Sequence, residues 1–348
     1  MSKENRPEEL EDQIMHGEVK EGVKLLKPSA KIDVNEILSI QMKEWDEASK
    51  ENDEEWSLVA YPVLADGKVA LLFELPVYEY EDGDEEDDYP SANRYRVLIF
   101  DSHTGKKVDK REFRITNGYA TTVFYRDGSL YAPISQEGER SYILFKIAED
   151  HDEGELYIGD NINCLAATQG GDVIVSYDFA DTDMDEADDE APLLSVYHLD
   201  ETYDDFGKFY DEDTDEPTDE YIVDITLDAQ DRIWTLMDDR QTLVLHEKDD
   251  SLKTYELPVG NVDTVAMPDD LSCLYVSVFG DSDDKYAMLC CRMEDGEIVD
   301  ESPRSCYLQV SDVTIGYSSG TTTMKNIMAT LINGVIYTTD LNEQNSNS

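Results

Sequence analysis

A strand–turn–strand unit recurs six times along this chain, and that repeat constrains the fold more than any other feature. The copies read YPVLADGKVALLFEL (61–75), TTVFYRDGSLYAPIS (121–135), INCLAATQGGDVIVSYDF (162–179), IVDITLDAQDRIWTLM (222–237), VDTVAMPDDLSCLYVSVF (262–279) and IMATLINGVIYTTDL (327–341). Each is an apolar run, a tight turn and a second apolar run. The turns fall at Gly67, Gly128, Gly170, Gln230, Asp270 and Gly334. Three of them carry Asp-Gly or Asn-Gly, which take positive φ at both central positions and so signal a hairpin strongly. A unit this small cannot bury its own faces, so the copies must stack on one another.

Five of the units continue into a third apolar strand: YRVLIFD (95–101), YILFKI (142–147), LLSVYHL (193–199), TLVLHE (242–247) and AMLCCRM (287–293). A more polar fourth strand follows most of them, as in KKVDKREFRI (106–115) and SLKTYELP (251–258). Two inner apolar strands, a half-buried third and a polar outer fourth make the blade of a β-propeller. The expected fold is therefore all-β, a propeller of about six four-stranded blades. The sixth unit ends after two strands, and unpaired edges invite aggregation. The N-terminal stretches 22–26 and 31–40 are the available apolar segments, so the termini are expected to share the closing blade. The domain reading is an N-terminal arm with blade-closing strands (1–50), the propeller (51–342) and a disordered tail (343–348). Helical spacing in VNEILSIQMKEWDEA (34–48) leaves a helical arm open as the other reading.

The fourth unit, DITLDAQDRIW (224–234), resembles the blade signature of the streptogramin-lyase, gluconolactonase and NHL-repeat propellers, in which an Asp-rich turn precedes an Ile-Trp on the second strand. The likeness covers one blade well and the others loosely. It implies a six-bladed fold, and a fold does not carry a function. Enzymes of those groups work with histidines, acids and a metal, or with a Glu, Asn and Asp set, around the channel. None of those positions is carried over to this chain.

Charge excludes two partner classes. Eighty-one acids against 28 bases give a formal net charge of −53. A field of that size repels nucleic-acid phosphates and anionic headgroups, so neither nucleic acid nor membrane is expected as a partner. It favours solubility and basic proteins. Three stretches concentrate it: YEYEDGDEEDDYP (78–90), ADTDMDEADDEAP (180–192) and YDEDTDEPTDEY (210–221), with a shorter GDSDDK (280–285). They fall between strands and read as loops. Tyrosine beside carboxylate suits a Lys- or Arg-rich partner through ion pairing and cation–π contact. The candidate binding residues are Tyr80, Asp84, Glu85, Glu86, Asp87, Asp88, Asp183, Asp185, Asp211, Asp213 and Asp215. The calcium-loop pattern fails in both later stretches, because Glu186 and Glu216 occupy the place of the obligatory glycine.

Other chemistry is sparse in the sequence. His16, His103, His151, His198 and His246 form no zinc motif, and no nucleophile elbow or phosphate loop is present. His198 and His246 fall at the same place in successive units and read as one structural slot. Cys164, Cys273 and Cys290 lie on apolar strands and read as core, while the adjacent Cys290 and Cys291 point to opposite faces. The odd cysteine count and the lack of an apolar leader lead us to expect a cytoplasmic protein with reduced thiols. No catalytic residues, cofactor or metal are assigned. The reading is a noncatalytic interaction scaffold for a basic protein, one form being an acidic antagonist or immunity-type factor. The alternative is a metal-dependent lyase or lactonase acting in the propeller channel.

Overall fold

Runs such as VALLF (69–73) and VIVSY (173–177) are buried at every position, which requires that both faces of the sheet be covered. The computed structural model describes residues 23–41, 55–78, 92–116, 118–136, 141–147, 152–177, 192–200, 202–206, 210–211, 216–217, 221–247, 251–279, 286–299, 303–310, 315–316 and 320–345. It shows a six-bladed β-propeller of antiparallel sheets. Two compact units divide the chain: Val34–Asp101 with Lys106–Ile222, and Met1–Asp33 with Ser102–Gly105 and Val223–Ser348.

The first unit carries blades 1 to 3. Blade 1 orders its strands Ser57–Ala60, Lys68–Val77, Ala92–Asp101 and Lys107–Thr116. Blade 2 begins with two short strands, Gly118–Ala120 and Phe124–Arg126, which both pair with Ser129–Gln136; Ser141–Ile147 and Asp152–Asp160 follow. Blade 3 comprises Ile162–Ala167, Val173–Tyr177, Leu194–Tyr197 and Tyr203–Phe206. Leu72, Val97 and Ile99 of blade 1 pack against Leu130, Ala132 and Ile147 of blade 2, and Leu144 and Ile158 of blade 2 against Val173 and Val175 of blade 3.

The second unit carries most of blade 4 and all of blades 5 and 6. Blade 4 is Ile222–Leu227, Ile233–Met237, Thr242–His246 and Leu252–Glu256. Blade 5 is Val262–Ala266, Cys273–Phe279, Tyr286–Glu294 and Arg304–Gln309. Trp234, Leu243 and Leu245 meet Val265, Leu274 and Val276 between these two blades. Blade 6 orders Gly320–Met324, Ile327–Ile332 and Val335–Asp340, and the N-terminal strand Ala30–Asp33 pairs antiparallel with the last of them. Both termini thus build the closing blade, as the unpaired edge required.

Three details depart from the sequence reading. The hairpin 327–341 supplies the second and third strands of blade 6, because the Thr-rich Gly320–Met324 is its innermost strand; one N-terminal strand, not two, completes the sheet. Val23–Leu26 instead runs parallel to Arg304–Gln309 and extends blade 5. The helical spacing after residue 34 is real for a short way, in a turn of α-helix at Val34–Glu36 and a π-helical turn at Ile37–Gln41. In blade 1 the first strand lies at Ser57–Ala60, and 61–65 contributes one bridge, Val63 to Val69. The Asp-Gly and Asn-Gly turns at 127–128 and 333–334 have positive φ at both positions, and Asp295-Gly296 adds a third.

The resemblance-bearing turn in blade 4 is held by one carboxylate. Asp228 is fully buried. Its Oδ1 accepts from the backbone N–H of Gln230 (2.9 Å) and Arg232 (3.0 Å), and its Oδ2 from Arg232 Nε (2.6 Å) and Trp234 Nε1 (3.2 Å). The signature residues therefore staple a turn to the core, which is a structural role.

Candidate functional site

Blades 2 and 3 of the first unit present an exposed face of tyrosine and aspartate. It is built from the inside outward. Gly159 has φ of +115°, and a Cβ there would lie 2.7 Å from the Tyr177 ring, so only glycine lets that ring close against the strand. Tyr177 and Tyr197 then meet hydroxyl to hydroxyl at 2.9 Å, and both reach the Ile158 carbonyl, at 3.2 and 3.1 Å. Burial raises the pKa of both phenols, keeping them neutral. Tyr203 packs on Tyr197 with ring centroids 5.8 Å apart. Tyr203 is 60% exposed and Tyr157 55% exposed, so two phenol faces are offered to solvent, with Asp205 on the same side of the strand as Tyr203. Asp205 is fixed by Ser195 Oγ at 2.6 Å.

His198 lies on the other side of the blade 3 sheet, with Asp172 and Asp204. Its Nε2 lies 3.0 Å from Asp204 Oδ2 and its Nδ1 3.1 Å from Asp172 Oδ1. Hydrogen bonds to Asp204 and then Asp172 raise its pKa above 6.5. The raised value means that this trio stabilises the fold fully below the unfolded pKa, and that the contribution is lost as pH rises through the folded pKa. We expect His198→Gln to flatten the pH dependence of the urea midpoint between about pH 5.5 and about pH 8.5. An unchanged slope would show the trio to be energetically idle. His246, at the matching place in blade 4, has the opposite character: it bonds Thr235 Oγ1 at 3.0 Å, and burial lowers its pKa to about 4. The two histidines share a place in the repeat and differ in electrostatics.

The innermost strands of blades 4, 5 and 6 form a second polar cluster, within the second unit. Asp224 bonds the Thr264 hydroxyl, and Asp263 stands close enough to repel it. Burial pushes Asp224 up to about 6, with Asp263 adding to it, and burial pushes Asp263 itself to about 6. Thr264 Oγ1 lies 2.9 Å from Thr323 Oγ1, and Thr323 Oγ1 donates to the Val265 carbonyl at 2.9 Å. The Thr264 hydroxyl bond to Asp224 favours the charged carboxylate and partly offsets the effect of burial. Two carboxyls poised near neutrality beside hydroxyls can take up and release protons.

Among the described residues one trio of side chains has metal-donor atoms within 4.8 Å of one another: His103, Asp340 and Glu343. His103 Nδ1 is 3.8 Å from Asp340 Oδ2 and 4.0 Å from Glu343 Oε1. His103 and Glu343 are exposed, and Asp340 Oδ1 already holds Asn326 Nδ2 and the Asn342 N–H. On the outer strand of blade 1 the basic residues of KKVDKREFRI are paired with acids, Arg111 with Asp109 at 3.0 Å and Lys110 with Glu112 at 2.6 Å.

Of the candidate binding residues, Tyr80, Asp84, Glu85, Glu86, Asp87, Asp88, Asp183, Asp185, Asp213 and Asp215 lie outside the described residues. Asp211 lies in a two-residue strand, Tyr210–Asp211, paired with Glu216–Pro217. The sequence reading passed over Tyr157, Tyr203, Asp204 and Asp205. Their signal was a fourth strand, YDDF, polar enough to face solvent; nothing local showed that Tyr157 of the neighbouring blade would come alongside.

No protein-family model matches the chain, and no curated protein matches it in sequence. Solved structures do match. A streptogramin B lyase structure is 11% identical, covering 82% of this chain and 97% of that one, with a TM-score of 0.40. The structure described as YCF48 bound to D1 peptide is 10% identical over 83% and 97%, at 0.43. Hsv2 of Kluyvelomyces marxianus is 13% identical over 79% and 89%, at 0.45. At such identities the likeness is one of fold alone.

Proposed function

We propose that this protein is a noncatalytic interaction scaffold that binds a basic segment of a partner protein on the tyrosine–aspartate face of blades 2 and 3. The propeller fold suits such a scaffold, since its rigid blades display loops and outer strands around a fixed frame. The observation that carries the reading is the pair of exposed phenol rings, Tyr157 and Tyr203, with Asp205 on the same side of the strand as Tyr203. A lysine or arginine can stack on the ring while its charge faces carboxylate, and the net charge of −53 steers it there. An antagonist of a basic protein is one form of this function.

The test uses a Lys/Arg-rich peptide and the full chain. Association should slow steeply as salt rises. Tyr203→Ala and Tyr157→Ala should each weaken binding about threefold to fivefold, the size of an exposed cation–π contact. Asp205→Asn should slow association further. Equal binding by all three altered proteins would remove this face from consideration.

A second reading has its own observation. Asp224 and Asp263, held near neutrality on innermost strands, are what an acid–base site in a propeller channel would need. On that reading the protein is a lyase or lactonase, with Asp224 moving the proton. Screening streptogramin-like and lactone substrates against the protein and its Asp224→Asn form separates the two.

A further inference from the structure

Four neighbouring strands of blade 5 bring three thiols together on one face. Cys273 precedes by two residues Tyr275, which stands opposite Cys290; Met288 stands opposite Cys306, and Cys306 stands beside Lys24 of the parallel strand. With side chains alternating along each strand, all these residues point to the same side. Cys273, Cys290 and Cys306 are buried, none is in a disulfide, and their neighbours in the core are Leu26, Met288, Leu308 and Met328. The thiol of Cys290 hydrogen-bonds both flanking thiols. Beside this row stands an ammonium. Lys24 Nζ donates to Tyr275 Oη at 2.6 Å, lies 5.1 Å from that ring's centroid, and acts electrostatically on Cys273 and Cys290.

We propose that Cys290, together with Cys273 or Cys306 beside it, forms a two-thiolate binding site for a soft monovalent cation of the Cu(I) class. Thiolates in a dry, apolar pocket select soft d¹⁰ ions over hard ones, and a row of thiols that offers two sulfurs at a time suits a cation content with two ligands better than zinc, which takes four. Each thiol that binds releases its proton to solvent. Two thiolates leave the Cu(I) complex with a single negative charge, which the Lys24 ammonium offsets. Cys290 belongs to both thiol pairs, so it is the ligand the site cannot lose. Cys273 and Cys290, read from the sequence as packing, thus acquire a chemical role from their register.

The test is an anaerobic titration of the full chain with Cu(I) against a chromophoric Cu(I) chelator. The protein should withdraw a single equivalent, with a new thiolate-to-metal ultraviolet absorption. Cys290→Ser should abolish this. Cys273→Ser and Cys306→Ser should each leave a weaker site. Lys24→Met should weaken binding about tenfold through the lost charge, and Cys164→Ser should change nothing. Circular dichroism of each variant separates lost binding from lost folding, and Lys24→Met keeps the test independent of the thiols. Failure of the native protein to compete, or Cys290→Ser binding as tightly as the native chain, would overturn the proposal.

Discussion

Replacing Asp228 with alanine should lower stability by about 3–5 kcal/mol, the usual cost of deleting one partner of a buried ion pair. The substitution removes four accepted hydrogen bonds at once. It leaves Arg232 with Glu247 as its remaining acidic partner, strands the Trp234 indole N–H, and leaves two turn N–H groups unsatisfied. Guanidinium unfolding followed by far-ultraviolet circular dichroism reads the effect. Asp228→Asn keeps an acceptor for the turn and should fall between the two. A loss below about 1 kcal/mol for Asp228→Ala would mean that the signature turn is held by its backbone alone.

Asp224→Asn and Asp263→Asn should act in the opposite direction. Both carboxyls titrate near 6 when folded against 3.8 in the unfolded chain. A raised acid pKa gives stability that is full below the unfolded value and is lost as pH rises through the folded one. At neutral pH each ionised carboxylate therefore costs stability, up to about 3 kcal/mol by linkage and nearer 1–2 kcal/mol for partly solvated side chains. The amides should raise the denaturant midpoint at about pH 7.5 and leave it little changed at about pH 4. Stability sacrificed at two adjacent positions is what a functional site looks like, and a gain in stability joined to a loss of catalysis would favour the enzyme reading. A loss of stability at neutral pH would instead show that the charged carboxylates are favourably paired.

What the chain determines by itself is the blade. Continuous apolar runs such as Val173–Tyr177 demand cover on both faces, and Asp127-Gly128 and Asn333-Gly334 accept the positive φ of tight hairpins, so strand, turn and stacking follow from side-chain period and backbone sterics. The charge alone disfavours anionic partners. Long-range pairing is different. Val23–Leu26 and Ala30–Asp33 are both four-residue strands, and nothing local says that one runs parallel along blade 5 while the other closes blade 6. The Thr-rich Gly320–Met324 hides the innermost strand of blade 6 because its burial comes from neighbouring blades and not from its own pattern. The sites share that origin. Tyr157 and Tyr203 come from different blades, Asp224 and Asp263 from successive innermost strands, and the three thiols from three strands whose register alone sets them on one face. Each is a juxtaposition of residues distant in sequence, and only the tertiary structure, by choosing which edges meet and in what register, brings them together.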